Sequence, residues 1–153
     1  MRRFLTNKFL ALMLTTAAAV ALAPSMVHAQ LIGELKANIP FKFTAGTTTF
    51  PAGSYVIRVM DITDPNELVI AQEDGKVEAV VSTLDAQAKQ PIKQSELVFS
   101  KLGDREFLSE VWPDQTGSGY QIEKTRAELK LEKSGAKRQP HRLRATRKAK
   151  SNP

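Results

Sequence analysis

Between Ala37 and Trp112 the apolar residues come in short runs, each closed by a turn signal before it reaches the length of an ordinary helix. Ala37, Ile39, Phe41 and Phe43 alternate with Asn38, Pro40 and Lys42. A period of two with one apolar face predicts a half-buried strand. Pro40 puts that strand at an edge or a bulge, because proline has no N–H to give to a ladder. Residues 44–53 read as a turn region ending in Phe50-Pro51-Ala52-Gly53, and 54–60 read as the next strand, rich in β-branched and aromatic side chains. Asp64-Pro65-Asn66 is a turn signal.

Two hairpins follow. Residues 67–72 and 76–83 flank Asp74-Gly75, and a two-residue type I′ loop there pairs Glu73 with Lys76, Ile70 with Ala79 and Leu68 with Val81. Residues 84–95 are polar, contain Pro91, and read as a crossing loop. Residues 96–101 and 105–112 form the second hairpin around Leu102-Gly103-Asp104. A type II′ turn at Gly103-Asp104 sets Phe99 opposite Leu108 and Lys101 opposite Glu106; a three-residue loop sets Phe99 opposite Phe107. Residues 113–119 read as a loop. Thr125-Arg126-Ala127-Glu128 fits a capping box, so a short helix is expected over about 125–134, ending near Gly135.

The expected fold is mainly β: a small antiparallel β-sandwich or partly open barrel of about six or seven strands, with a short C-terminal helix. The chain of 153 residues is long enough for one domain of this kind.

The N-terminus reads as an address. Arg2, Arg3 and Lys8 are basic, 9–23 is uncharged and mostly apolar, Pro24-Ser25 breaks a helix, and Val27-His28-Ala29 offers small residues for cleavage. This is the order of a Sec-type signal peptide, 1–29, cleaved after Ala29. The apolar stretch is short for a membrane span of roughly 20 residues. No other segment is apolar enough to cross a membrane, so the mature chain is expected to be periplasmic or extracellular, with 30–133 as one β-rich domain.

Charge is segregated. The chain has 22 Lys+Arg and 16 Asp+Glu, a net of +6, yet residues 30–133 hold only 12 of the cations and all 16 acids. Residues 134–153 hold Lys137, Arg138, Arg142, Arg144, Arg147, Lys148 and Lys150 and no acid. With Leu143 as its one large aliphatic, this segment is expected to be a disordered basic tail. Its electrostatic reading is attraction to anionic envelope polymers or lipid head groups; nucleic acid fits less well, because no base-reading element accompanies the charge. The plain alternative is a solvated end that aids solubility.

The pattern across the body resembles a group of small exported β-rich proteins of unassigned function, abundant in acidobacterial-type genomes. The matching motifs are Pro40-Phe41-Lys42-Phe43, Pro51-Ala52-Gly53-Ser54-Tyr55, Leu97-Val98-Phe99, Gly103-Asp104, Phe107-Leu108, Val111-Trp112 and Ala127-Glu128, in the order PFxF…PAGxY…LVFxxxGDxxFLxxVW…AE. The resemblance spans roughly 38–132. It implies export and a β-rich fold and implies no chemistry; the long basic ending departs from that group's usual short one.

Candidate chemistry is sparse. The chain has no cysteine, and its two histidines, His28 and His141, lie in the signal and the tail. That leaves 30–133 without Ser-His or Cys-His nucleophile pairs and without His or Cys metal ligands. No catalytic residue, cofactor site or metal site is assigned. Asp61, Asp64, Asn66 and Glu67 gather oxygens around a turn but do not fit a calcium loop. On strand 105–112, Glu106, Leu108, Glu110 and Trp112 fall on one face by simple alternation. Two carboxylates beside an indole suggest a carbohydrate face, although their spacing of about 13 Å is long for glycoside cleavage. The plain alternative is a solvent-facing sheet surface. The expected function is thus an exported, non-enzymatic β-domain serving as an envelope-associated binding or structural module. The alternative is a small carboxylate-based carbohydrate-active protein or hydrolase. The oligomeric state is not legible.

Overall fold

A computed structural model describes residues 34–61 and 64–148. The expected signal peptide over 1–29, Gln30 and Lys150 lie outside the described residues. Among the described residues the chain is mainly β, with one short helix. Its strands are β1 (Glu34–Ile39), β2 (Phe43–Ala45), β3 (Thr48–Phe50), β4 (Gly53–Asp61), β5 (Asp64–Gln72), β6 (Glu78–Gln87), β7 (Glu96–Leu102), β8 (Arg105–Trp112) and β9 (Ser118–Ile122), followed by helix α1 (Arg126–Lys133) and strands β10 (Arg138–Arg144) and β11 (Thr146–Lys148). Eleven strands stand among the described residues where six or seven were expected. Among the described residues no helix is long and apolar enough to cross a membrane.

The strands form one open path, β10-β7-β8-β9-β6-β5-β4-β1-β11. Two segments let it turn. The first half of β6 pairs with β5, Glu67 to Ala71 opposite Ser82 to Glu78, and its second half pairs with β9, Thr83 opposite Ile122 and Gln87 opposite Ser118. At the ends of the path, β10 pairs with β7 and β11 pairs with β1, although β10 and β11 are successive pieces of one segment separated only at Ala145. The β2–β3 hairpin lies off the path, and β2 runs parallel to β8 with Phe43 opposite Glu106 and Thr44 opposite Phe107.

Local chemistry explains most of these elements. Pro40 interrupts the alternating run, so the expected strand becomes β1 and β2. The Gly103-Asp104 loop has two residues, with Gly103 at φ 63 and Phe99 opposite Leu108, the register expected of a type II′ turn. The Asp74-Gly75 hairpin has the expected register, Ile70 opposite Ala79 and Leu68 opposite Val81, but not the expected turn. Gly75 alone is left-handed (φ 72), its N–H donates to the Gln72 carbonyl at 2.8 Å, and Lys76 N–H donates to Asp74 Oδ1 at 3.1 Å. The aspartate side chain thus stabilises a wider loop, and Lys76 pairs with Asp74 while Glu73 pairs with Lys36.

Helix α1 has the expected N-cap: Thr125 Oγ1 accepts from Glu128 N–H at 3.2 Å. It ends in a Schellman pattern, with Gly135 N–H donating to the Glu132 carbonyl and Ala136 N–H to the Leu131 carbonyl.

Buried residues from the whole path meet in one core that includes Leu35, Ile39, Phe43, Phe50, Tyr55, Ile57, Leu68, Ile70, Leu97, Phe99, Leu108 and Val111. Phe43 sits at its centre, stacked on Phe50 at 5.0 Å and edge-on to Tyr55 at 5.2 Å and Phe99 at 5.5 Å. Each such buried ring contributes roughly 1.5–3 kcal/mol by removal from water. Phe107 is buried as well but does not belong to this core; it lies on the opposite face of β8.

Three further expectations need correction. The crossing loop over 84–95 begins later, because β6 continues to Gln87 to pair with β9. β9 itself fell within what read as loop and untyped chain, since glycine and serine dominate its start. Gly119 is required there because a Cβ would come within 2.4 Å of the Trp112 ring. The expected disordered tail is two strands over 138–148, tied to β7 and β1 by backbone pairing that does not depend on side-chain hydropathy.

Candidate functional site

The basic segment is best read cation by cation. Arg138, at the start of β10, donates to Glu132 and, at 3.2 Å, to Glu128, both on α1. Arg142 pairs with Glu96 at the start of β7. Arg147 on β11 reaches Asp114, with Nε 3.0 Å from Oδ1. Asp114 is itself held by Ser95, whose Oγ donates to Oδ1 at 3.0 Å and accepts from the Asp114 N–H at 2.9 Å. Lys137, Arg144 and Lys148 are exposed and make no ion pair among the described residues. Three of the six described cations of the basic segment thus meet carboxylates of the acidic body.

This clamp leaves a mark on protonation. Burial pushes the Glu128 carboxyl above the usual glutamate range, helped by the neighbouring Glu132 charge and opposed by Arg138 and Lys124. The Arg138 hydrogen bond holds Glu132 below that range.

A second basic feature has no counterpart in the sequence reading. A cleft of about 440 Å³ is lined by Thr44, Gly46, Thr47, Thr49, Arg105, Thr125, Arg126 and Ala127. Three segments build it. The β2–β3 hairpin turns at Gly46 (φ 55) and sets Thr44 opposite Thr49, their hydroxyls 3.4 Å apart. The Gly103 turn delivers Arg105 at the start of β8, its guanidinium 4.9 Å from the centre of the Phe107 ring. The Thr125 cap starts α1 at the cleft and places Arg126 there. The described residues include seven arginines, at 58, 105, 126, 138, 142, 144 and 147. Arg58, Arg138, Arg142 and Arg147 are ion-paired, and two of the other three, Arg105 and Arg126, line this one cleft. An arrangement of two uncompensated guanidiniums among threonine hydroxyls can hold an anionic group and hydrogen-bond its neighbouring hydroxyls. No spacing rule in the sequence announces it, because its parts lie about 60 and 20 residues apart along the chain.

The carboxylate face does not form. Ser109 is an extra residue in β8: Val98 pairs with Glu110 but Phe99 pairs with Leu108, and Ser109 Oγ donates to the Val98 carbonyl at 2.9 Å. This bulge puts Glu106 with Leu108 on the core side and Glu110 with Trp112 on the other. Trp112 Nε1 donates to Glu110 Oε2 at 2.7 Å. Glu106 has a side chain only 11% exposed, with Oε1 3.7 Å from His141 Nδ1 and Oε2 buried without a hydrogen-bond partner. His141 in turn lies against Phe41, ring centres 4.8 Å apart. Simple alternation missed the bulge, and the tail reading missed the approach of His141 to Glu106.

In comparisons with known proteins, the chain matches no family model, no curated protein and no solved structure.

Proposed function

We propose that this chain is an exported, non-enzymatic β-domain that works as an envelope-associated binding module for anionic polymers. The observation that carries the reading is the pair Arg105 and Arg126, which share one cleft and have no acid partner among the described residues. Lys137 just before β10, Arg144 at its end and Lys148 on β11 add exposed positive charge. The location of attraction thus moves from a whole tail to the cleft and the few uncompensated cations. Export rests on the basic, apolar and small-residue order of 1–29 and on the resemblance to small exported β-rich proteins. The sandwich-or-barrel description rests on the bend of the path at β6. Placement of Glu106 and Glu110 on opposite faces of β8 favours a binding role over glycoside cleavage, which needs two carboxylates on one substrate.

The test is retention of the mature chain, beginning at Gln30, on immobilised heparin and on polygalacturonate. Binding at about 50 mM salt should weaken steeply by about 200 mM, the behaviour of counterion release. Replacing Arg105 and Arg126 with glutamine should remove most of it with the circular dichroism spectrum unchanged. Equal retention of wild type and the double variant would refute the role of the cleft; no retention of the wild type at low salt would refute the reading as a whole.

A further inference from the structure

We propose that residues 136–148 form an exchangeable strand, able to leave their own body and fill the same place between β7 and β1 in a second copy of this chain. The segment is the last element of the described fold. It follows the Schellman stop at Gly135 (φ 91) by a two-residue linker, Ala136 and Lys137. It is held chiefly by backbone pairing, with seven register pairs to β7 and three to β1. Its apolar hold is small: Ala145 is buried at 4%, and Leu143 and His141 are half-buried. The remaining hold is ionic and polar: three arginines, with Arg138 on Glu128 and Glu132, Arg142 on Glu96 and Arg147 on Asp114, together with the Ala145 N–H on the Ser95 carbonyl and His141 beside Glu106. The pairs of Arg138 and Arg142 are partly exposed, hence weak and salt-screened, which leaves the Arg147–Asp114 network as the one firm ionic anchor of the segment. A terminal element with so little buried apolar surface belongs to the low-stability end of a fold and opens without global unfolding.

When it opens, it bares the edges of β7 and β1, and bare edges seek strands. The acceptors on the body select which strand. Glu96 begins β7, Asp114 follows β8, and Glu128 and Glu132 lie on α1, at the positions that meet Arg142, Arg147 and Arg138. Glu106 waits for His141 at the middle of β10. Another copy's 136–148 carries all four partners in register. Two copies vacate identical edges, so reciprocal exchange leaves no edge bare and gives a closed dimer.

The chain has no cysteine, so any disulfide introduced reports position alone. Lys101 and Gln139 are a register pair of β7 and β10, and both are exposed. Two single variants of the mature chain, Lys101→Cys and Gln139→Cys, are mixed at high concentration in about 1 M salt, where the Debye length is ~3 Å, then returned to low salt and oxidised. The control mixture uses Lys101→Cys with Lys148→Cys, since Lys148 sits against Glu34 on β1. Exchange should give a cross-copy disulfide between positions 101 and 139, identified by the mass of the joined peptides, at about tenfold the control yield, because only a register pair holds two Cβ atoms within bonding distance. A chain carrying both substitutions should close its disulfide internally, which checks that the variants fold with β10 in place. Cross-copy yield no higher than control, or failure of the internal disulfide to close, would overturn the proposal.

Discussion

Arg147 grips Asp114 at two points: its Nε lies 3.0 Å from Oδ1, and its Nη2 donates to the Asp114 carbonyl at 3.2 Å. Ser95 holds the same aspartate from the other side and accepts, through its carbonyl, the Ala145 N–H at 2.8 Å. The point where the C-terminal segment passes from β7 to β1 is thus pinned to the loop after β8. A charge-assisted network of this kind, with both side chains mostly buried, is worth more than a surface pair.

Asp114→Ala should therefore cost about 2 kcal/mol, since it removes the carboxylate that accepts from the Ser95 hydroxyl and the Arg147 Nε–H. Arg147→Ala should cost less, and the double variant should cost less than the sum. Urea midpoints of the four proteins check this; strict additivity would show that the two residues do not act together.

Phe99 is fully buried and touches both Phe41 and Phe43, at ring distances of 5.2 Å and 5.5 Å. Phe99→Ala should cost ~3–5 kcal/mol, a large share of the ~5–15 kcal/mol stability of a small domain. The expected outcome is loss of soluble protein or a large drop in the thermal midpoint. An unchanged midpoint would remove Phe99 from the core.

Glu128 offers a pH signature. Its carboxyl lies above the ordinary glutamate value of 4.5 because it is buried, so the folded chain holds that proton more tightly than the unfolded chain. The contribution is complete below 4.5 and is lost as pH rises through the folded value. Glu132 and Asp74, held low by hydrogen bonds from Arg138 and Lys76, slope the other way but are present in both proteins compared. Glu128→Gln cannot ionise, so its stability relative to wild type should improve as pH rises above 4.5. Urea unfolding from pH 4 to 7 measures the difference; a gap that stays constant or moves the other way would contradict the assignment.

The Asp74-Gly75 register was legible in the sequence because turn chemistry acts over a few residues; around Gly103 the sequence left two registers open, and the structure takes the one with Phe99 opposite Leu108. The Thr125 cap was legible for the same reason. The bulge at Ser109 was not, since nothing in Leu108-Ser109-Glu110 breaks alternation, and it alone undoes the expected carboxylate face. β10 was hidden because its hold comes from backbone ladders and distant carboxylates; a hydropathy pattern registers neither. The cleft was hidden because Thr44, Arg105 and Arg126 meet only after β2 has paired in parallel with β8.

Amide hydrogen exchange across 138–148, in a chain beginning at Gln30, tests most directly that the basic ending is part of the fold. Amides paired with β7 and β1 should exchange at least ~100-fold more slowly than in an unstructured peptide, with protection falling as salt screens the three ionic contacts. Exchange of this segment at unstructured rates in low salt, while β7 and β8 stay protected, would contradict the account and return residues 134–153 to a solvated tail.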